Sequence, residues 1–466
     1  MRLSVPKKIK EKLTDILEVW VEYDNTTAPS QDVLKFSVSK LHFEKMEFVN
    51  MMDEQWKNCS FARYRVKYLD GSEEVLSFES REKAIYEEQI DRPSLEINFF
   101  EDALPSEQKN WKPARAEMTW RYAPDSVLNT ELLSEEDLAR LTATVNFPET
   151  GVLSLKNGLI SEKGLVYESS GKTRFLELSR FSSIDELKKH KKEITMFLSL
   201  KLGETCKINN VKYFKGSALN LHTFFSQFNF CHSFLDVAAL LNTAYLAGLD
   251  FQSYDYYVVP ENNFNLVKDL FKKLKLDSKK FLYAGQLKID GKIKPREYSL
   301  MFDRLDSPSF DGVCDYYAPE AFDFLRHIYG VGEQHKGRRI YLSREEKSQN
   351  ILNEKELLNL LEYYDFEIMY SSRQLDMPRI MNEAAIVLGA HGAAMSNCVF
   401  CSKKSVLIDL IPQNYAYPYY VGLANSAGFK YHAVVSKSGK GTTEEKRQIV
   451  VDIPKVKTLL DEVCYG

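Results

Sequence analysis

The stretch AAIVLGAHGAAMSNCVF, residues 384–400, decides the fold of the C-terminal third of the chain. Its β-branched run, residues 386–388, is typical of a strand buried in a parallel sheet, and residues 393–400 are predicted to form a short helix. The small residues from Gly389 to Gly392 therefore lie at a strand-to-helix turn. Such a turn places the amides of a helix N-terminus at the carboxyl edge of a sheet, where α/β proteins bind ligands and where anions such as phosphate are favoured.

Strand and helix patterns alternate on both sides of this stretch. The predicted strands cover residues 338–343, 366–370, 385–389, 405–411 and 430–436, and the predicted helices cover residues 354–364, 374–384, 393–400, 419–428 and 454–464. Strands that are separated by helices and short loops require right-handed crossovers and a parallel sheet. We therefore predict an α/β domain over residues 336–466 that ends in a closing helix.

Two further regions precede this domain. In residues 116–335, hairpin-like strands at 151–160 and 164–178 are followed by alternating helix and strand patterns at 192–202, 231–249, 254–260, 265–276 and 279–285. This alternation predicts a second Rossmann-like domain. Residues 1–115 combine a basic opening helix with short alternating segments such as residues 62–78, which predicts a small α+β accessory region.

The composition excludes several classes of protein. The chain has 466 residues, of which 44% are hydrophobic and 27% charged, as in ordinary globular proteins. A formal charge of -4 and a pI near 6.2 disfavour nucleic acid as the main partner. Seven scattered cysteines and the lack of an apolar leader favour a cytoplasmic location. Basic helices are most often solvated faces, and peripheral binding to an anionic membrane remains an alternative.

Polar side chains follow the first strand of the C-terminal domain. Ser343 and Arg344 emerge at its carboxyl end, on the same predicted edge as the small-residue turn. Because an arginine stays charged and offers a planar fork of donors, Arg344 suits a diphosphate. The alternative is a surface ion pair with a neighbouring glutamate. Arg338 and Arg339 begin the strand and are expected to face solvent.

Two other polar residues are predicted at the same edge. His391 lies at the mouth of an apolar strand, where its ring could donate to a phosphate or a sugar hydroxyl, or serve only the turn. Asp409 follows the apolar residues 406–408, and acidic residues at such strand ends often bind ribose hydroxyls. A loop cap is the alternative for Asp409.

A candidate general base lies in the second domain. His232 and Asp236 are spaced to share one face of a helix. A carboxylate beside an imidazole fixes the tautomer of the ring and raises its basicity, so either residue could take a proton from a substrate. The alternative is a structural histidine beside a salt-bridged aspartate.

No metal site is predicted. Cys398 and Cys401 form a single CVFC motif, whereas a structural zinc site needs four ligands, and both residues are expected to pack as small apolar side chains. The Asp-x-Asp spacing by which many transferases hold a divalent ion is also absent from the sequence.

Together these motifs resemble glycosyltransferase family 61. HGAAMSNCVFC at residues 391–401, with RRIYLSR and NEKELL upstream and VLIDLIP downstream, is similar to a family signature whose usual form is close to HGAGLTN. NFCHSFLD at residues 229–236 is similar to a second family signature that carries a histidine and an aspartate. The resemblance covers roughly residues 150–435 and includes several separate motifs in the family's order.

The resemblance implies a GT-B architecture, in which two Rossmann-like domains face a cleft that holds the active site. It implies an inverting transferase that moves a sugar such as xylose, arabinose or N-acetylglucosamine from a nucleotide-diphosphate donor, expected to be a UDP-sugar, without a bound metal or other cofactor. The acceptor would be a hydroxyl of a glycan or glycolipid, in the biosynthesis of a surface polysaccharide such as a capsule or of a glycoconjugate. By position in the motifs, the expected donor-binding residues are Ser343, Arg344, His391, Gly392, Ala393, Asn397 and Asp409, the catalytic residues are His232 and Asp236, and the supporting residues are Gln374 and Glu354.

The sequence also departs from the family pattern. Ala394 and Met395 replace the usual glycine and leucine, and the Pro-Arg that often follows the histidine and aspartate is missing. A non-catalytic protein that binds nucleotide-sugars therefore remains an alternative. An NAD-dependent oxidoreductase is a more distant one, because GxGxxG with a downstream acidic residue is not found.

Overall fold

The computed structural model describes residues 2–4, 16–24, 33–38, 48–50, 62–68, 73–78, 90–92, 95–97, 101–103, 109–161, 164, 166–168, 173–175, 206–208, 211–223, 226, 230–260, 265–284, 286–289, 292–295, 299–313, 316–332, 336–344, 351–370, 376–439 and 448–465. The chain divides into two units, Met1–Gln89 and Ile90–Gly466. The predicted domain boundaries after residues 115 and 335 stay predictions.

The described part of the first unit consists of β-strands. They are β1 (Arg2–Ser4), β2 (Ile16–Asp24), β3 (Val33–Val38), β4 (Phe48–Asn50), β5 (Ala62–Tyr68) and β6 (Glu73–Phe78). Strands β3, β2, β5 and β6 form an antiparallel sheet in that order, and β1 pairs with β4. The alternating segment at residues 62–78 forms β5 and β6. The predicted opening helix falls largely outside the described residues.

The second unit begins with strands and a few helices. In chain order these are β7 (Ile90–Arg92), β8 (Leu95–Ile97), β9 (Glu101–Ala103), β10 (Trp111–Arg115), β11 (Met118–Tyr122), β12 (Ser126–Leu128), α1 (Glu135–Arg140), β13 (Ala143–Phe147), β14 (Thr150–Lys156), β15 (Leu159–Ile160), β16 (Val166–Tyr167), β17 (Thr173–Phe175), β18 (Cys206–Ile208), β19 (Val211–Asn220), α2 (Phe230–Leu246), β20 (Tyr256–Pro260), α3 (Asn265–Lys273), β21 (Phe281–Ala284), β22 (Gln286–Ile289), β23 (Lys292–Pro295), β24 (Ser299–Pro308), β25 (Gly312–Val313), β26 (Tyr316–Tyr317) and α4 (Pro319–Ile328).

A mixed sheet organises this part of the chain. Its main path runs β21, β20, β19, β24, β15, β16, β17, β9, and β19 pairs in parallel with both β20 and β24. The predicted helices and strands between residues 231 and 285 correspond to α2, β20, α3 and β21. The predicted helix at 192–202 lies outside the described residues. Because α2 is apolar around most of its circumference, it is buried along nearly all of its length.

The hairpin-like strands predicted at residues 151–160 and 164–178 are confirmed in part, since β15 pairs antiparallel with β16. Strands β14 and β15 do not pair with each other, because both lie antiparallel along the long strand β24. Asn157 lies between these two strands and adopts a left-handed φ of 49°. The Asn157-Gly158 pair therefore makes a local irregularity between β14 and β15 and does not form a hairpin turn. Strand β16 also pairs antiparallel with β17.

The C-terminal part alternates strand and helix as predicted. Its elements are β27 (Arg338–Leu342), α5 (Glu354–Tyr363), β28 (Phe366–Met369), α6 (Met377–Asn382), β29 (Ala384–Ala390), a 3-10 helix (Ala393–Phe400), β30 (Val406–Pro412), α7 (Tyr419–Ala427), β31 (Lys430–Ser438), β32 (Ile449–Val450) and α8 (Ile453–Tyr465). The short helix after β29 is thus a 3-10 helix.

The predicted parallel sheet is confirmed. Its strands lie in the order β28, β27, β29, β30, β31, with β12 added at the far edge, and all of these pairs are parallel. Counted from β27, the five strands have the order 2-1-3-4-5, which is a doubly wound arrangement. The direction of winding reverses between β27 and β29, so the crevice at the carboxyl ends of these two strands is the topological switch point.

Helices cover both faces of this sheet. Helices α5 and α8 bury Leu357 and Leu459 against one face, and α6, α7 and the 3-10 helix pack against the other. On that second face the core continues without interruption into α2, where the rings of Phe234 and Phe400 lie 5.8 Å apart. The protein is therefore α/β with mixed sheets. No helix among the described residues combines the length and apolar character needed to span a membrane.

Candidate active site

The candidate site begins at the switch point of the parallel sheet. Leu342 at the end of β27 is paired with Gly389 near the end of β29. The chain leaves β27 through Ser343 and Arg344, and it leaves β29 through His391 and Gly392. The structure thus brings two of the predicted segments to one crevice.

Arg344 and Gly392 are in direct contact. The Arg344 Nη1 donates a hydrogen bond of 2.8 Å to the backbone carbonyl of His391. An ideal Cβ on Gly392 would lie only 1.7 Å from the same Nη1. Residue 392 must therefore be a glycine for the guanidinium of Arg344 to lie in this position. At residue 389 the space for a side chain is taken up by Met395, since a Cβ there would lie 3.0 Å from Met395 Sδ.

Glu354 is hydrogen-bonded to Ser343, the first residue after β27. Its Oε1 accepts from the Ser343 hydroxyl at 2.9 Å and from the Tyr341 hydroxyl at 2.6 Å. Glu354 is the first residue of α5, so its carboxylate also complements the helix dipole. This contact gives Glu354 a supporting position beside Ser343. Gln374, the other predicted support, lies outside the described residues.

His391 belongs to a buried hydrogen-bonded unit. Its Nδ1 lies 2.8 Å from Asp409 Oδ2, and the Tyr431 hydroxyl donates to the same oxygen at 2.9 Å. The side chain of Asp409 is 0% exposed and that of His391 is 3% exposed. Burial, and then the Asp409 carboxylate, raise the pKa of Tyr431 well above its usual value, so Tyr431 remains a donor.

These contacts give Asp409 a different position from the expected strand end. Strand β30 continues to Pro412, so Asp409 lies in mid-strand with its carboxylate turned towards His391 and Tyr431. A carboxylate in that position orients the His391 ring. The predicted contact between Asp409 and ribose hydroxyls stays a prediction.

His232 and Asp236 form a second unit of the same kind on α2. The His232 Nδ1 lies 3.3 Å from Asp236 Oδ1. Asp236 also accepts from the Tyr317 hydroxyl at 2.6 Å and from the Thr223 hydroxyl at 2.9 Å. The side chain of Asp236 is 0% exposed, whereas that of His232 is 12% exposed. The carboxylate is thus placed to orient the ring, and His232 is the member of the pair that solvent reaches.

A tyrosine-rich loop connects these two units, and the sequence interpretation did not identify it. It reads YAYPYY at residues 415–420 and comprises the end of the connection after β30 and the first two residues of α7. The ring centroid of Tyr420 lies 4.8 Å from that of His391, and the ring centroid of Tyr419 lies 5.9 Å from that of His232. The Tyr420 hydroxyl also donates to the Gly392 carbonyl at 2.7 Å. The sequence feature that could have indicated this segment is the presence of four tyrosines within six residues after a strand of the parallel sheet.

The first turn of the 3-10 helix differs in exposure from the rest of it. Gly392, Ala393 and Ala394 are half-buried, whereas the helix is buried from Met395 onward. Asn397 is 2% exposed, and its Nδ2 donates to the Ala394 carbonyl at 2.8 Å within the helix. The expected contact between Asn397 and a donor stays a prediction.

Two arginines lie at the start of β27. Arg338 bonds Glu367 on the neighbouring strand at 2.6 Å and Glu383 at 3.2 Å, and Arg339 donates to the Tyr364 carbonyl at 2.8 Å. They are half-buried and tie the amino end of the sheet together, while the Arg338–Glu367 pair stays open to solvent.

The described residues contain no group of three or more histidine, cysteine, aspartate or glutamate side chains that could hold a metal ion. Cys398 and Cys401 are both buried, as predicted for packing residues. Burial and the neighbouring Cys401 raise the pKa of the Cys398 thiol well above its usual range.

One comparison matches a region that contains His232, Asp236, Arg344, His391 and Gly392 and ends before Asp409. Residues 230–408 match the family model described as Glycosyltransferase 61. Two rice (Oryza sativa subsp. japonica) proteins are similar: Alpha-1,3-arabinosyltransferase XAT3 is 25% identical over 79 residues, 16% of this chain and 14% of that protein. Alpha-1,3-arabinosyltransferase XAT2 is 25% identical over 131 residues, 27% of this chain and 21% of that protein. Similarity to glycosyltransferase family 61 is thus shown for residues 230–408, and the aligned parts span less than a quarter of the length of the two relatives.

Proposed function

We propose that this protein is an inverting glycosyltransferase that moves a sugar from a nucleotide-diphosphate donor, a UDP-sugar, to a hydroxyl of a glycan or glycolipid acceptor. The observation that carries the proposal is the contact of Arg344 with Gly392 at the switch point of the parallel sheet. The family match over residues 230–408 and the two similar arabinosyltransferases support the same chemistry.

The diphosphate would bind where Arg344 meets the first turn of the 3-10 helix. The guanidinium stays charged at any working pH and can donate two parallel hydrogen bonds to phosphate oxygens. The half-buried backbone at Gly392, Ala393 and Ala394 adds the positive end of a short helix dipole. These groups would meet the charge of the leaving diphosphate, so we propose a reaction that needs no bound metal.

His232 would act as the general base. In the tautomer whose Nδ1–H donates to Asp236, Nε2 carries the basic lone pair of the ring. As the acceptor oxygen forms a bond to the anomeric carbon, His232 Nε2 takes the hydroxyl proton and the bond from that carbon to the diphosphate oxygen breaks. A single displacement of this kind inverts the anomeric configuration. Asp236 would be a positioning residue, since it is fully buried.

The proposal extends to the architecture. The mixed sheet that carries α2 would form the acceptor-side domain of a GT-B protein, and the parallel sheet would form the donor-side domain. The tyrosine-rich loop at residues 415–420 would then lie at the junction, since its rings reach both His391 and His232. A role in the biosynthesis of a surface polysaccharide or glycoconjugate is the corresponding biological proposal.

The test is a transfer assay on the full chain, followed by proton NMR. UDP-xylose, UDP-arabinose and UDP-N-acetylglucosamine would each be incubated with a panel of simple glycoside acceptors, with and without EDTA. We expect one donor to be consumed, with a product whose anomeric coupling shows inversion and a rate that EDTA does not change. Donor binding without turnover would indicate a non-catalytic protein, and binding of NAD alone would contradict the transferase proposal.

A further inference from the structure

The tyrosine-rich loop has a regular pattern of burial. Tyr415, Tyr417 and Tyr419 are half-buried, whereas Ala416 and Pro418 between them are buried. The three tyrosines are therefore on the more exposed side of the loop, and the small residues between them anchor it to the protein.

The three rings form an ordered series, here named the tyrosine ladder (Tyr415, Tyr417 and Tyr419). The ring centroids of Tyr415 and Tyr417 lie 4.2 Å apart with an interplanar angle of 39°. Those of Tyr417 and Tyr419 lie 5.7 Å apart at 13°, which is close to parallel. The second separation falls within the range of favourable aromatic pairs, about 4.5–7 Å, and the first is slightly shorter, so the rings pack closely against one another.

The tyrosine ladder runs from one histidine unit to the other. At one end the Tyr415 ring lies edge-on to His391, with centroids 5.7 Å apart and an angle of 73°. At the other end the Tyr419 ring lies edge-on to His232 at 5.9 Å and 78°. Tyr417 is the middle ring. The ladder thus joins the turn beside Arg344 to the residue proposed as the general base.

We propose that the tyrosine ladder binds the transferred sugar ring of the donor, with Tyr417 as its central contact. This inference rests on the proposed function, in which the leaving diphosphate lies at Arg344 and the acceptor hydroxyl lies at His232. The anomeric carbon must then lie between those two points, and the sugar ring lies with it. One face of a pyranose or furanose presents C–H groups that pack against aromatic rings, while its hydroxyls face polar groups.

The same geometry disfavours a nucleobase as the ligand of the ladder. In a nucleotide-sugar the diphosphate separates the base from the sugar, so the two lie on opposite sides of the phosphates. The ladder extends from the proposed phosphate position towards His232, which is the side of the sugar. A ring that stacks there selects for the sugar and contributes little to the binding of the nucleotide.

Isothermal titration of the full chain with UDP and with UDP-xylose, UDP-arabinose and UDP-N-acetylglucosamine tests this assignment. In Tyr417→Ala we expect the tightest-bound UDP-sugar to bind about tenfold more weakly, as for the loss of one stacked ring, while UDP changes less than about twofold. Tyr417→Phe keeps the ring and should bind all four ligands as the wild type does. Tyr363→Ala is the matched control, because Tyr363 lies on α5 and is 71% exposed.

Each other outcome is decisive. If Tyr417→Ala weakens UDP and the UDP-sugar equally, or weakens neither, the tyrosine ladder does not bind the sugar, while the proposed function stands. If the wild type binds neither UDP nor any UDP-sugar, the proposed function is overturned and the ladder assignment with it. Thermal unfolding of each variant shows whether the loop change has altered the fold.

Discussion

The guanidinium of Arg344 occupies the space in which a side chain at Gly392 would begin. A Cβ there would lie 1.7 Å from Nη1 and 2.5 Å from Cζ, closer than atoms of folded proteins approach. Because residue 392 has no side chain, the Arg344 guanidinium can lie against its backbone. This contact explains why the turn after β29 has glycine at residue 392. It also places the positive charge of Arg344 beside that turn.

Gly392→Ala should therefore weaken nucleotide binding more than it weakens the fold. The obstructing atoms are the far end of a flexible side chain, so Arg344 can move aside at little cost in stability, but it then leaves its position on the turn. We expect a loss of UDP affinity of about tenfold, measured by titration. In a double-mutant cycle the effect should largely disappear when Arg344 is already alanine.

Gly332→Ala provides the matched control for that experiment. A Cβ on Gly332 would meet nothing within 4 Å. UDP affinity and melting temperature should both stay at wild-type values in this variant. An effect of Gly392→Ala that persists unchanged in the Arg344→Ala background would show that the two residues are not coupled.

Tyr431→Phe should destabilise the protein. The change removes the hydroxyl that donates to the buried Asp409 and leaves that carboxylate oxygen with its contact to the His391 ring. Removing one partner of a buried charged acceptor costs about 1–3 kcal/mol of unfolding free energy. Urea unfolding measures this loss. Tyr363→Phe, at an exposed position, should stay within about 0.5 kcal/mol of wild type.

His232 and Asp236 should separate into a catalytic and a positioning residue. His232→Ala is expected to lower kcat roughly 10²–10⁴-fold with little change in donor KM, because only the proton acceptor is lost. Tyr317→Phe removes a donor to the buried Asp236 and should cost about 1–3 kcal/mol of stability. Its kcat should fall less than that of His232→Ala. Equal kcat in His232→Ala and the wild type would rule out His232 as the base.

The stability of the fold should decrease at mildly acidic pH because of His432. Burial lowers the pKa of His432 below its usual 6.5, although the carboxylates of Asp125 and Glu462 act in the opposite direction and Lys430 acts with burial. The unfolded chain therefore binds the proton first as the pH falls below 6.5. Stability is present above that pH and is lost below it, until the folded form is also protonated.

The variant His432→Gln tests that dependence. The wild-type residue bonds Ser126 across the β12–β31 pair, with Nδ1 and Oγ 2.8 Å apart, and glutamine can keep a polar contact there without titrating. Urea unfolding between pH 8 and pH 5 should show a smaller loss of stability in the variant than in the wild type. Identical pH profiles would contradict the assignment to His432.

The parallel sheet could be predicted from the sequence because its strands are short apolar runs separated by helices with clear periodicity. The run at residues 386–388 and the following small residues correspond directly to β29 and the 3-10 helix. The pairing of strands that lie far apart in the sequence could not be predicted in this way. β12 joins the edge of the sheet beside β31, and β14 and β15 both lie along β24, because distant strands supply the partners.

The candidate site was predictable in its segments and not in its contacts. Sequence position indicated that Arg344 and the turn after β29 end at one edge, but not that the guanidinium lies on Gly392. Asp409 was expected near the end of the predicted strand at residues 405–411, whereas β30 runs to Pro412 and the Asp409 side chain is buried. The tyrosines at residues 415–420 follow β30 in the sequence, but only the structure shows that their rings reach His391 and His232.

The most direct test of the central claim is calorimetric titration of UDP into the wild type and into Arg344→Gln. Arg140→Gln is the matched control, since Arg140 is an arginine on α1 whose side chain is 50% exposed. We predict that the wild type and Arg140→Gln bind UDP equally, and that Arg344→Gln binds it at least about tenfold more weakly. Equal affinity in all three proteins, or no binding of UDP by the wild type, would contradict a diphosphate site at the switch point.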